Sequence, residues 1–395
     1  MYKLNFKNVS IVSLSIFLLS GILGTLPLLG FLPLKPLSVI FPAIYIISYL
    51  VKNLRVPKTL FFIFPWVITL IPSFYVSNMT DYSKEKIINL LIILLVTTTS
   101  SAFLLRNKDD LFTFLNSLAI IGLIIAVFGL FNFGTIQSEL RLAIGDSNPI
   151  WLSRAVSFSF AWFFILYMHK KISLISLAIL GTIILIVMLG TGSKGPLFAL
   201  LFSLLIVFTP SFKTLFLKSK TYFFIFIAPI FLYAFYYIAL KVLPYYAVMR
   251  FADIFTNDSF DSGRMVIWQT ALDLITINPL GIGIGHFVDY SYFPYPHNII
   301  LESFVEGGWI FGIYLIGMLI VTFLVIRRLS LSGNYIYQAV YTLMLISLIN
   351  AMVSGDLISP KELYITITLG FSLIFTRELH KNIQRNPNVR TSTSH

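Results

Sequence analysis

The sequence predicts an all-α, polytopic membrane bundle of about twelve transmembrane helices, with a long helical outer loop between spans 9 and 10. Three observations carry that expectation. Of the 395 residues, 57% are apolar and only 11% charged, far from the balance of a soluble chain. Apolar runs near the roughly 20 residues needed to cross a bilayer recur along the whole chain. Basic residues fall between alternate pairs of runs, as positive-inside orientation requires.

The runs lie near 9–29, 37–51, 59–76, 87–105, 111–133, 149–168, 172–189, 196–211, 221–240, 299–326, 335–354 and 359–376. The first follows Lys3 and Lys7 and continues through Leu29 without a small-residue cleavage site, so it reads as a retained signal anchor. With a cytoplasmic N-terminus, the inside segments hold Lys3 and Lys7; Lys52, Arg55 and Lys58; Arg106 and Lys108; Lys170 and Lys171; Lys213, Lys218 and Lys220; Arg327 and Arg328; then Arg377, Lys381, Arg385 and Arg390. This alternation favours an even span count and cytoplasmic termini. It also explains a net charge of +12 without a nucleic-acid partner. The basic residues left outside are Lys35, Lys84, Lys86, Arg141, Arg154, Lys194, Lys241, Arg250, Arg264 and Lys361. With no cysteine in the chain, disulfides, thiolate catalysis and thiolate-bound metal are excluded.

No soluble domain or internal repeat interrupts the pattern, so residues 1–395 are expected to form a single membrane domain. Its longest interruption, 241–298, is expected to be an extracytoplasmic loop carrying part of an active site. Asp261, Ser262 and Gly263 can cap a helix from Arg264, with Met265, Trp268, Leu272 and Ile275 as its apolar face along the membrane surface. Asn278, Pro279 and Gly281 stop it. A turn rich in glycine and tyrosine then leads to Pro296, His297 and Asn298 at the start of the tenth run.

Two glycine motifs carry no nucleotide chemistry. Gly281, Gly283 and Gly285 lack the spacing and preceding strand of a dinucleotide loop, and in Gly190–Gly195 the lysine is not followed by Ser or Thr. Thr191, Ser193 and Lys194 instead sit on a turn between two runs, suited to a phosphate contact or simply to the turn. His297 stands at a helix start among arginines, two influences that disfavour imidazolium and leave it able to accept a proton near neutral pH. Glu302 and Glu306 lie one turn apart in the same run, where an unpaired carboxylate is expensive. They serve a site, or they pair with Arg154 or another buried cation. His286 reads as a surface loop histidine.

Arg141, Arg154, Lys194, Arg250 and Arg264 gather on the expected outer side against the usual sign bias. Together they suit a phosphate or diphosphate, because guanidinium forks bind phosphate oxygens in pairs and stabilise a developing anion. Tyr290, Tyr292, Phe293 and Tyr295 can stack on sugar faces, and each alone also suits an interfacial belt.

On these residues the chain resembles the O-antigen ligase and O-antigen polymerase superfamily of bacterial envelope enzymes. The similarity rests on Gly192, Ser193, Lys194 and Gly195 between two runs, on Arg264 with Trp268 followed by Pro279, Leu280, Gly281 and Gly283, and on His297 and Asn298 with Glu306 and Gly307 downstream. It covers about Asn148 to Gly312. The resemblance implies glycan transfer on the outer face from an undecaprenyl-diphosphate-linked oligosaccharide to a sugar hydroxyl, with neither metal nor cofactor. His297 and Arg264 are the implied catalytic residues. Lys194, Arg250, Arg154, Arg141, Asn298, Glu302 and Tyr295 are the implied substrate contacts, with the basic ones on the diphosphate. Lys194 stands where the family usually has arginine, and lysine cannot make the same planar two-bond clamp.

The short segment from Pro279 to His297 favours an O-antigen or capsular repeat-unit polymerase, served by membrane lipid and a chain-length regulator protein, over a ligase acting on lipid A core. A lipid-linked oligosaccharide flippase is the competing class, and it needs cations in the core reachable from both sides. A metal-dependent transferase with an acidic first loop fits poorly, since Gly24 to Pro36 contains no Asp or Glu.

Overall fold

A computed structural model describes residues 5–26, 29–74, 79–132, 141–145, 147–216, 243–256 and 264–375. Among them are thirteen α-helices, two short 3-10 turns and no strand. The helices are α1 (Phe6–Leu23), α2 (Leu34–Asn53), α3 (Leu60–Ile68), α4 (Asp81–Leu104), α5 (Lys108–Asn132), α6 (Pro149–Met168), α7 (Leu174–Gly190), α8 (Lys194–Phe216), α9 (Tyr245–Thr256), α10 (Arg264–Ile277), α11 (Ile299–Ser330), α12 (Tyr335–Ser354) and α13 (Lys361–Ile374).

Seven of these, α1, α2, α4, α5, α6, α11 and α12, are long and apolar enough to cross a membrane, and α7 and Lys194–Thr209 of α8 are shorter apolar helices. The all-helical, multi-pass character expected from the sequence is therefore present. The expected run at 59–76 becomes α3, with Pro65 inside it, followed by a 3-10 turn at Ile71–Phe74. The run at 221–240, Lys241 and the cap residues Asp261 to Gly263 lie outside the described residues.

The chain packs as two compact units, one formed by 1–18, 36–115 and 261–395 and the other by 19–35 and 116–260. In the first, α13 packs on α3, α4, α11 and α12, and α10 packs on α11. Trp66 of α3 stacks on Phe311 of α11 with ring centroids 5.0 Å apart, and Tyr364 of α13 closes on the same indole at 5.8 Å. Side-chain caps fix where the helices begin. Thr80 accepts from Ser83 N at the start of α4, Asn298 from Ile300 N and Leu301 N at the start of α11, and Asn334 from Ile336 N at the start of α12. At the junction of α4 and α5, Asp110 accepts from the backbone N–H groups of Arg106 and Asn107 and takes the Lys7 ammonium at 2.6 Å.

In the second unit α6 packs on α7 and α8. A Cβ at Gly122 of α5 would lie 2.8 Å from the Ala155 carbonyl oxygen, so only glycine lets α5 approach α6 this closely.

The helix from Arg264 also buries a stripe that, apart from Ile275, the expected membrane-surface face did not include. Helix α10 starts at Arg264 and ends before Asn278 as expected, with Met265 62% and Leu272 47% exposed. The buried stripe is Ile267, Ala271 and Ile275, which meets Ile282, Phe287 and Val305. The neighbours α11 and the 279–287 loop lie on that side, and in a helix apolar on several sides the packing partner decides which stripe is buried.

Candidate active site

In the first unit the site begins with a strained turn. His297 has φ +57°, a left-handed conformation that non-glycine residues adopt only when their surroundings impose it. Its ring meets Tyr295 edge-on at 4.6 Å between centroids and Phe293 at 5.7 Å. The next residue, Asn298, caps α11 through its side-chain oxygen, 3.0 Å from Ile300 N and 3.2 Å from Leu301 N. From α10, the Trp268 indole N–H donates to the Pro296 carbonyl at 3.0 Å. Arg264 lies one turn before Trp268, so both project from the same side of α10, the side that reaches the His297 turn.

Below the turn, α11 is broken. Gly308 takes φ 81° and ψ 175° inside the helix, and the backbone groups released there are taken up by the glycine loop that follows α10. Ile282 N donates to Val305 O at 2.8 Å, Gly283 N to Glu306 O at 3.2 Å, and Trp309 N to Pro279 O at 2.9 Å. In an uninterrupted helix Trp309 N would bond Val305 O, so the loop replaces the missing ladder on both sides of the break. The fit is tight. A Cβ on Gly281 would lie 2.5 Å from Glu306 O, and one on Gly308 would lie 2.6 Å from the Leu280 carbonyl.

Glu302 and Glu306 hang from the first half of α11 and are both 0% exposed. The cation that faces them is Lys86, 2.7 Å from Glu302 Oε1 and 2.7 and 2.9 Å from the two oxygens of Glu306. Pairing with Arg154 or another buried cation was one of the two sequence readings of these carboxylates, and the buried cation is Lys86. Lys86 itself was placed in an outer loop. It lies in the second turn of α4 and is 2% exposed, because that helix starts at the Thr80 cap, well before the apolar run. Neighbouring Ser83 donates to Ile284 O at 2.7 Å and so fastens the glycine loop to the same wall.

His286 also departs from expectation. It is 5% exposed rather than on the surface, with Nδ1 2.8 Å from Asp289 Oδ2. The signal was the three-residue spacing from His286 to Asp289, which a single 3-10 turn closes.

In the second unit, Arg141 reaches the turn between α7 and α8. Its Nε donates to Thr191 O at 2.6 Å and a terminal nitrogen to Ser193 Oγ at 2.7 Å. Gly192 in that turn has φ +59° and lies against Ala247 and the Arg250 side chain of α9. Burial, then the nearby Arg250 charge, pushes the Arg141 guanidinium down to about 10, still cationic at neutral pH. Arg250 Nε is buried without a hydrogen-bond partner among the described residues. The structure thus brings Arg141, Ser193 and Arg250 together. Lys194 follows Ser193 at the first position of α8. Arg154 lies half-buried on α6, its carbonyl accepting from Ser157 Oγ.

Comparison with curated proteins gives no match. Residues 179–316 match the family model described as O-antigen ligase, a span that runs from α7 into α11 and includes Lys194, Arg250, Arg264, His297 and Glu306. Lys86, Arg141 and Arg154 precede it. That match supports the resemblance of this segment to the O-antigen ligase/polymerase superfamily.

Proposed function

We propose that the protein is a repeat-unit polymerase of O-antigen or capsular glycan, drawing on an undecaprenyl-diphosphate-linked oligosaccharide and working without metal or cofactor. The observation that carries this is His297, held in left-handed backbone at the head of a membrane helix inside the matched segment. Strain of this kind persists where the surroundings over-determine a residue, and it clusters at active sites. His297 accepts the proton of the acceptor hydroxyl while that oxygen attacks the anomeric carbon. The bond from that carbon to the phosphate oxygen breaks, and the lipid diphosphate leaves with the electron pair.

Arg264 is the proposed diphosphate ligand in the unit that carries His297. In the other unit Arg141, Lys194 and Arg250, with Arg154, are the proposed anion-binding groups. Asn298 and Tyr295, on either side of His297, are the proposed sugar contacts, and Glu302 serves the helix through Lys86. The enzyme is further proposed to have twelve spans as a single membrane domain in the bacterial inner membrane. Both termini are then cytoplasmic, the loop at 241–298 faces outward, and a chain-length regulator is a partner. The alternative is a ligase that transfers glycan to lipid A core. The short Pro279–His297 connection favours the polymerase.

The test is an assay of purified protein with lipid-linked oligosaccharide and a chelator present. Products longer than one repeat from donor alone are expected for wild type, with loss of about 10²- to 10⁴-fold in His297→Ala. A wild-type rate in that variant refutes the role of the imidazole, and strict need for a lipid A acceptor turns the assignment to ligase.

A further inference from the structure

The geometry points to Lys86 as a positioning residue for the proposed transfer: its buried ammonium sets where His297 stands by clamping the half-helix that His297 heads. The inference rests on that proposed role of His297.

Because α11 breaks at Gly308, the segment from Ile299 to Gly307 is a separate rod of two and a half turns rather than part of a long span. A rod this short gains little stiffness from its own hydrogen bonds, so its ties decide its placement. At its far end the glycine loop takes its carbonyls, Val305 O and Glu306 O. At its near end the Trp268 indole N–H ties down Pro296 O, the residue before His297. Along its side, Lys86 grips Glu302 in the first turn and Glu306 in the second, at 2.7 Å each. Two contacts one turn apart on one cation resist both rotation of the rod about its axis and sliding along it. All three side chains are at most 2% exposed, so the attraction is not screened by water. Lys86 belongs to α4, whose Ser83 also holds the loop, so a single helix carries the reference frame for both parts. The ammonium touches neither the imidazole nor its turn in any of these contacts, and its effect on the reaction passes through the rod.

The test compares Lys86→Arg with a neutral triple variant, K86M/E302Q/E306Q, which removes the cluster without stranding a buried charge. Rates are taken per folded molecule, from monodisperse protein that unfolds cooperatively. Misplacing a reacting group by about 1 Å lowers a rate on the order of 100-fold. The triple variant is therefore expected to lose about 10- to 100-fold in kcat with donor KM within about twofold of wild type. Lys86→Arg, which keeps the charge on a longer side chain, should fall between the two. A merely structural cluster lowers the yield of folded protein and leaves kcat unchanged. Wild-type kcat in Lys86→Arg and in every triple-variant preparation that folds overturns the inference. If the triple variant does not fold, Lys86→Arg decides alone, a lowered kcat supporting and a wild-type kcat refuting. Failure of the proposed transfer itself shows separately, as full activity in His297→Ala.

Discussion

Replacing Gly281 with alanine tests the join between the glycine loop and the broken helix. Gly281 has φ +84°, where an L-residue costs about 1–2 kcal/mol. The new methyl would stand 2.5 Å from Glu306 O and 2.6 Å from Gly308 N. Both are backbone atoms, so no rotamer change relieves the overlap and the loop must lift. Lifting weakens the bonds Ile282 N to Val305 O, Gly283 N to Glu306 O and Trp309 N to Pro279 O, each contributing about 0.5–1.5 kcal/mol. Losing one or two of them on top of the strain gives about 2–5 kcal/mol. Gly317 is the matched control. It lies in regular α11 with nothing within 4 Å of an added Cβ, so alanine there should be neutral or stabilise by up to about 1 kcal/mol. Denaturant or thermal unfolding in detergent compares the pair, and amide hydrogen exchange at residues 305–309 reports the join directly. Equal stability of the two variants, with unchanged exchange at Trp309, refutes the docking.

Trp268→Phe keeps a ring but removes the N–H that holds Pro296 O at 3.0 Å. It should destabilise the protein by about 1 kcal/mol and lower turnover several-fold in folded material, read by steady-state kinetics; full turnover shows that the indole does not steady the histidine turn. In the second unit, inorganic pyrophosphate should raise the unfolding temperature of wild type, with the gain reduced in Arg141→Gln and in Arg250→Gln. The sign follows from Arg141, whose folded-state value is lowered to about 10. The charge therefore costs stability in full below that pH, a bound anion offsets the cost, and the cost shrinks only as pH rises above about 10 towards the higher unfolded-state value. Between about pH 7 and 9 the guanidinium stays charged while pyrophosphate only becomes more anionic, so the gain should persist there. A gain that vanishes by pH 9, or that survives both substitutions, removes these arginines as the anion seat.

Helix positions were legible where caps and breakers mark them. Asn298 opens α11, and Asn278 with Pro279 closes α10, each through local chemistry that depends little on tertiary context. The stripe packed inside the protein was not legible. On α10, Met265 and Leu272 are as apolar as Ile267 and Ala271, and in a chain this hydrophobic the alternation that marks a core stripe is lost. Lys86 was left out of the run at 87–105 because hydropathy ends a run at a lysine, whereas burial beside two carboxylates lets it lie within the helix. The glycines after α10 were recognised as a turn. Their hydrogen bonding to Val305 and Glu306 joins residues more than twenty positions apart, which no local pattern encodes.

The order of these parts along the chain bears on how the protein is made. Synthesis delivers Lys86 first, then the 279–285 loop, and only afterwards Glu302, Glu306 and the interruption at Gly308. When the two acids and the exposed peptide groups of that interruption move into lipid, the ammonium and the backbone groups that satisfy them have already left the ribosome. A permuted gene that placed α11 ahead of α4 would present the same segment to the insertion machinery with nothing to neutralise it.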